Sequence, residues 1–348
     1  MNDLTPQQLH EIFKTQVIPY LEEIRNPERP VPGQQPWFIS VGGQPGSGKT
    51  GVVDASGQIH PGSVIVNGDD LRRFHPDYDH TMEHNPLSMP EVTAQASGAW
   101  IGMSNQWLRD NGITAVVETT LRQPAVLLRE FEAFKQAGYG TELRVVAVPP
   151  EVSRLSTLAR YVGQAQEFGV GRTVTAEGHD IPTAAVPGTV ETLVASGLVD
   201  RVVVQDRDGR VFLDAEVSRG DPELAAKVRE VVDRARDVTS MTSGQAQACF
   251  RAAAVMMEGL GAVRETDQDL HKVAARITGP DAQALAARAW PRDAVEQQQA
   301  RKELKSRHGS FIRAAALPDP QQALSRNPAV PERHPHRGKP GRSRDMER

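Results

Sequence analysis

The chain has 348 residues, 39% hydrophobic and 24% charged, with a formal net charge of −4 and a pI near 6.2. That is enough for one sizeable buried core and a second, smaller helical unit, and it excludes the bulk positive field that drives nonspecific nucleic-acid binding. No run is apolar and long enough to span a membrane, the start Met1–Glu11 lacks a secretory pattern, and the lone Cys249 has no partner for a disulfide or a metal or redox motif, so a reducing, cytoplasmic setting is expected.

Between Thr5 and Ile24, Leu9, Ile12, Phe13, Val17, Ile18 and Leu21 recur at helical spacing, which predicts an amphipathic helix kinked at Pro19. The proline-rich stretch Asn26–Gln35 reads as a connector. Short apolar runs then alternate with longer amphipathic ones. Strands are predicted at Trp37–Val41, Val64–Val66, Ile113–Val117, Leu143–Val148 and Val202–Val204, with a short last strand at Arg210–Leu213. Helices are predicted at Glu91–Asn111, Ala125–Ala137, Glu151–Glu167 and Val190–Ser196. This alternation predicts an α/β fold of the P-loop NTPase type, a mainly parallel sheet with helices on both faces. From Pro222 the composition turns to alanine-rich amphipathic helix, at Leu224–Arg236, Gly244–Gly259 and Asp281–Arg307. The prolines and basic run of the last stretch predict disorder. The expected division is 1–36 as N-terminal helix and linker, 37–218 as a nucleotide-binding unit, 219–316 as a helical C-terminal region and 317–348 as a tail.

The strongest motif is Gly43-Gln44-Pro45-Gly46-Ser47-Gly48-Lys49-Thr50, a G-x-x-x-x-G-K-[ST] phosphate loop placed after the apolar strand at Trp37 and before a helix. Its glycines let successive backbone N–H groups face phosphate oxygens, and the helix N-terminus adds partial positive charge. Lys49 is expected to reach the β and γ phosphates of ATP, and the Thr50 hydroxyl to ligate magnesium. A phosphate loop alone does not say whether water or a substrate hydroxyl is the acceptor.

The acceptor side is read from strand ends, where ligands of open α/β sheets gather. Val64–Val66 is followed by Asn67-Gly68-Asp69-Asp70, and a carboxylate there can orient an acceptor hydroxyl and take its proton. Asp69 is the preferred base, with Asp70 in reserve; the alternative is an Asp pair that caps the next helix. Glu118, with Thr119 and Thr120 after it, is placed to hold magnesium through water or to bind the acceptor. Arg160 and Arg172 are candidates to neutralise charge on the transferring group. His75, Asp77, Asp79, His80, Glu83 and His84 are dense in metal-ligand types, but density without convergence is read as a polar loop.

As a set, these residues resemble the zeta toxin family of P-loop kinases. The resemblance runs through Gly42–Thr50, Val64–Val66 with Asp69, His75-Pro76, Val117–Thr120 with Arg122, Gly138-Tyr139, Ala147–Pro149, Arg160-Tyr161, Arg172 and His179-Asp180. It implies an ATP- and magnesium-dependent kinase that phosphorylates the 3-hydroxyl of UDP-N-acetylglucosamine and so blocks cell-wall precursor synthesis. It also implies an antitoxin protein as partner, while the charge and the lack of a long apolar run lead to the expectation of no nucleic-acid or membrane partner. The family's base falls on Asp69, its strand-end glutamate and the threonine two residues later on Glu118 and Thr120, its phosphate-binding lysine on Lys49 and its lid arginines on Arg160 and Arg172; Asp70 and Arg122 are further substrate-side candidates. The chain departs from the pattern at Gly102, where the family carries a substrate-contacting glutamate, and at Thr119, where a glycine is common. Kinases of another hydroxyl-bearing metabolite and an ATP-dependent regulatory module therefore stand as alternatives.

Overall fold

The computed structural model describes residues 3–28, 33–85, 88–169, 171, 174–218, 221–263 and 268–315. The N-terminal segment begins at a reciprocal cap in which Thr5 and Gln8 satisfy each other's backbone N–H. It runs through α1 (Pro6–Ile12), a π turn at Phe13–Val17 and α2 (Ile18–Glu23). The π turn takes up the irregularity expected at Pro19. Ile18 N–H bonds Phe13 O, so the wide turn falls just before the residue that has no N–H to give.

Next come β1 (Trp37–Gly42), α3 (Lys49–Ile59), β2 (Val64–Val66) and the short helices α4 (Gly68–Leu71), α5 (Tyr78–His84) and α6 (Met89–Val92). They are followed by α7 (Ala94–Asp110), β3 (Ala115–Thr119), α8 (Pro124–Gln136), β4 (Gly140–Val146), α9 (Pro150–Phe168), α10 (Ala176–Ala195), β5 (Arg201–Gln205) and β6 (Val211–Glu216). The six strands form one sheet in the order β2-β3-β1-β4-β5-β6, parallel except for the terminal β6. The α/β expectation holds, with all five parallel strands ending on the same side.

Several boundaries differ from the sequence reading. β3 starts two residues later than expected, because Gly112 takes a left-handed φ of 60° and Ile113 N–H bonds back to Leu108 O to finish α7. Glu118 therefore lies inside the strand. β4 starts earlier, at Gly140, where the Trp37 ring lies so close that a Cβ would sit 2.8 Å from it. α10 is 20 residues long, and Pro182 and Pro187 inside it disguise its pattern as a short helix after Pro187. The helix expected at Glu91–Asn111 is split at Thr93 into α6 and α7.

Beyond the sheet lie α11 (Pro222–Ala235), a 3-10 turn at Val238–Ser240, α12 (Ser243–Val263), α13 (Gln268–Arg276), α14 (Ala282–Ala289) and α15 (Ala294–Ala315). The single helix expected over Asp281–Arg307 is interrupted at Trp290–Asp293, which contains Pro291, and α13 has no counterpart in the sequence reading. The expected tail at 317–348 lies outside the described residues.

Two large apolar clusters follow from this layout. One covers a face of the sheet and takes in Leu9, Phe13, Val17 and Leu21 of the N-terminal segment, α7, α8, α10 and α11. The Trp100 indole donates to Leu9 O at 3.0 Å, so the N-terminal helix is joined to the core through α7. The other joins one side of α9 to α12–α14 and Leu304 of α15. A smaller cluster of Ile39, Val41, Val52, Val53, Val116 and Val146 seats α3 on the opposite sheet face.

Phe38 anchors the strand that carries the phosphate loop. Its ring stacks on Phe134 at 4.1 Å and meets Phe131 edge-on at 4.9 Å. Phe38→Ala is expected to cost about 3–5 kcal/mol in denaturant unfolding, as large-to-small changes at buried aromatics do. A loss below about 1 kcal/mol would mean that the stack is not part of the stable core.

Candidate active site

The sheet places the loop Gly43–Gly48 at the C-terminal end of β1, with α3 starting at Lys49. Space decides its composition. At Gly42 a Cβ would lie 2.4 Å from Leu121 Cγ, and at Gly46, where φ is 76°, it would lie 2.1 Å from Ser153 O in α9. Gly48 has φ 89° as α3 begins. The loop is thus pinned between the sheet and α9. Gln44 Nε2 donates to Val148 O at 2.7 Å and to Ser153 Oγ at 3.3 Å.

Inside the curl, Lys49 is buried, and its Nζ donates to Gln44 O at 3.1 Å. Ser47 Oγ is buried without a hydrogen-bond partner among the described residues. An unsatisfied hydroxyl in a cradle too tight for Cβ atoms fits a phosphate group. Thr50 is exposed in the first turn of α3.

Glu118 faces this lysine because β1 and β3 pair in parallel with Val41 opposite Glu118, which brings Glu118 Oε1 to 3.7 Å from Lys49 Nζ. Burial pushes the Lys49 ammonium below its usual range, and Glu118 opposes that shift. Burial likewise raises the Glu118 carboxyl, against the pull of Lys49. Asp69 and Arg160 are both close enough to act on this pair. Four of the residues singled out in the sequence, Lys49, Asp69, Glu118 and Arg160, therefore converge. Arg172 lies outside the described residues.

Asn67, not the acidic pair, caps α4: its side chain accepts from Asp69 N at 3.0 Å. This leaves the Asp69 carboxylate to pair with Arg72, whose Nε donates at 2.9 Å. Arg72 is held in turn by Pro90 O and the Thr93 hydroxyl. Asp70 sits on the other side of the turn, near Tyr20 and Arg73. Thr120 and Arg122 are exposed on the turn after β3, where buried Leu121 has a left-handed φ of 54°. Thr119 turns its hydroxyl to Leu121 N, at 3.3 Å, and so supports that turn. Gly102 is exposed on α7 with no atom within 4 Å of a would-be Cβ. Among the described residues no group of three or more His, Cys, Asp and Glu is arranged to hold a metal ion.

Three features escaped the sequence reading. Arg72 has a local signal, the i,i+3 spacing from Asp69 on a helical turn. Arg207 has none: at the end of β5 it donates to Gly46 O and to Ser156 Oγ, both at 2.9 Å, across 161 residues in the first case. The third is a buried chain behind the loop. Ser153 Oγ meets His179 Nε2 at 2.8 Å, His179 Nδ1 meets Asp180 Oδ1 at 3.0 Å, and Arg154 joins Asp180 to Asp281. Its connectivity is that of a nucleophile relay, yet Ser153 is fully enclosed, so the chain braces the loop.

The family model described as zeta toxin matches residues 22–218. The chain belongs to the zeta toxin family. Toxin zeta of Enterococcus hirae is 29% identical over 202 residues, which are 58% of this chain and 70% of the relative. Toxin PezT of Streptococcus pneumoniae is 28% identical over 189 residues, 53% of this chain and 73% of the relative. A solved structure from the PezAT chromosomal toxin-antitoxin system of S. pneumoniae shares the fold with a TM-score of 0.54 and 23% identity, over 68% of this chain and 99% of the other. Zeta toxins are kinase-type P-loop phosphotransferases, and the whole cluster of Lys49, Asp69, Glu118 and Arg160 lies within the matched segment.

The bracing chain carries a pH signature. Burial holds fully enclosed His179 below its usual pKa of 6.5, Arg154 and Arg236 add to that, and Asp180 opposes it. A neutral imidazole donates from Nδ1 to Asp180 and accepts at Nε2 from Ser153. The unfolded chain binds the proton more readily, so this stability is fully present above pH 6.5 and is lost as pH falls below it, by up to about 1.4 kcal/mol per pH unit. Denaturant midpoints should fall between pH 7 and pH 5 and fall less in His179→Gln; equal slopes in the two proteins would refute the assignment.

Proposed function

We propose that this chain is an ATP-dependent kinase that moves the γ-phosphoryl group to a sugar hydroxyl of a nucleotide sugar, the 3-hydroxyl of UDP-N-acetylglucosamine being the first acceptor to test. The observation that carries this reading is the meeting of a buried, incompletely compensated ammonium, Lys49, with two carboxylates, Asp69 and Glu118, from neighbouring strand ends. A hydrolase has no need of a second carboxylate held open to solvent and aimed by an arginine. Asp69 is 45% exposed beside its Arg72 partner, which suits a group that must receive a hydroxyl from solution.

In this scheme the backbone N–H groups of Gly43–Gly48 hold the phosphates, and Lys49 neutralises charge on the β and γ groups. Asp69 orients the acceptor hydroxyl and takes its proton as the bond to phosphorus forms. Arg72, donating from Nε at 2.9 Å, keeps that carboxylate aimed. Arg160, with Arg172, offsets charge on the transferring group. Thr50, and Glu118 through water, would hold magnesium, which supplies charge neutralisation between the phosphates when bound. Thr120 and Arg122 flank the acceptor side, while Asp70 faces Tyr20 across the turn. An antitoxin partner is proposed with it, since the solved relative belongs to a toxin-antitoxin system.

A second reading has an observation of its own. The space beside Gly102 leaves the α7 wall without an acid, which favours an acceptor other than UDP-N-acetylglucosamine among hydroxyl-bearing metabolites. Incubating the chain with ATP, magnesium and a panel of nucleotide sugars, then weighing the products, separates the two. One added phosphate on UDP-N-acetylglucosamine is expected, with kcat lowered by about 10²–10⁴-fold in Asp69→Asn, the usual worth of a general base. Lys49→Ala should abolish turnover. Unchanged turnover in Lys49→Ala would sink the scheme, and phosphate on a different acceptor alone would select the second reading.

A further inference from the structure

The acceptor residues Asp69 and Glu118 follow or end β2 and β3, on one side of β1 in the sheet order. A nucleotide whose terminal phosphate meets them must send its nucleoside to the other side, where β4 and β5 end. A cavity of about 250 Å³ lies there. Val148, Pro149 and Val152 wall it from the β4 end, and Arg207 from the β5 end. Its opposite wall includes Met241, Gln245 and Cys249, which belong to α12 and the turn before it. These three lie beyond the matched family segment, which stops at 218.

We propose that α12 and its preceding turn complete the nucleoside end of the ATP site, so that this chain's own C-terminal helices contact the purine base; the inference rests on the kinase reading above. Arg207 is the connection between cavity and phosphate loop. Its guanidinium holds Gly46 O and Ser156 Oγ, while its buried Nε has no partner among the described residues. A ribose or phosphate oxygen arriving from the loop would satisfy that donor. The base finds apolar side chains such as Val148, Val152 and Met241 for its faces, and Asp206, Arg207, Asp208, Arg210, Ser240 and Gln245 add polar groups to the wall. In Gln245 the amide oxygen is engaged by Thr242 N at 2.8 Å, which leaves the amide nitrogen to donate to the base edge. The bracing chain ends on the same unit, since Arg154 bonds Asp281 with Nη1 at 2.6 Å and 2.8 Å.

Cys249, the single cysteine of the chain and half-buried in this wall, provides a direct probe. Alkylation of the full-length protein by N-ethylmaleimide should slow at least about tenfold with saturating ATP and change less than about twofold with saturating tripolyphosphate, which fills the phosphate loop alone. Ala248→Phe, which narrows the cavity, should raise the Kd for ATP at least about tenfold and leave that for tripolyphosphate within about twofold. If ATP binds while Cys249 reacts at its free rate and Ala248→Phe keeps wild-type ATP affinity, the inference is overturned and the kinase reading stands. If the wild-type chain binds neither ATP nor tripolyphosphate, both are overturned.

Discussion

The buried ammonium of Lys49 is the constraint to which the rest of the site answers. Taking such a charge out of water costs several kcal/mol unless countercharge and hydrogen bonds meet it. Here one carbonyl, Gln44 O, and one carboxylate, Glu118, do so, the latter at 3.7 Å and beyond direct hydrogen-bond length. The parallel register of β1 and β3 is therefore electrostatic as well as apolar: it is the pairing of Val41 with Glu118 that brings the carboxylate across. The compensation is incomplete, since burial still disfavours the charge on both partners. A site left in that condition gains from a polyanion, and the orphaned Ser47 hydroxyl lies in the same curl.

Holding a loop in this conformation requires support from behind, and α9 supplies it. Gly46 packs so close to Ser153 that helix and loop cannot move independently, and Gln44 is pinned to Val148 and Ser153. From Ser153 the bonds continue through His179, Asp180 and Arg154 to Asp281 in the C-terminal helices. The same helix packs its apolar residues Leu155, Leu158 and Val162 with α12–α14. One element thus serves the phosphate loop with one part of its surface and the C-terminal unit with another, so disturbance of that unit should reach the loop.

The legible parts of the chain were those in which local pattern and chemistry coincide. β2 matches its predicted span residue for residue, and the loop from Gly43 to Thr50 is written contiguously. The surroundings of Asp69 and Asp70 depend on a neighbour: Asn67 takes the capping role that the alternative reading gave to the aspartate pair, and Asp69 lies with Arg72 and Asp70 toward Tyr20. Boundaries went astray where tertiary geometry overrides pattern, as at Ile113, which is apolar enough for a strand but closes a helix. Contacts such as Arg207 with Gly46, or Arg154 with Asp281, span 161 and 127 positions. Nothing in single-sequence periodicity carries information over that separation.

The two halves of the site differ in how far they can vary, and the difference is steric. On the phosphate side a methyl group at Gly42, Gly43 or Gly46 would collide with the Leu121 side chain, Val146 O or Ser153 O, so none of these three glycines accepts a Cβ without a shift of the Leu121 turn, β4 or α9. On the acceptor side, α7 passes Gly68 through Ser97 and Ile101 and then offers Gly102 to open space. A side chain could be gained or lost there without disturbing the packing that places Asp69. The loop is thereby fixed through its backbone, while α7 at Gly102 is free of such packing constraints. A loop fixed by backbone contacts and a helix face open to solvent can therefore vary independently.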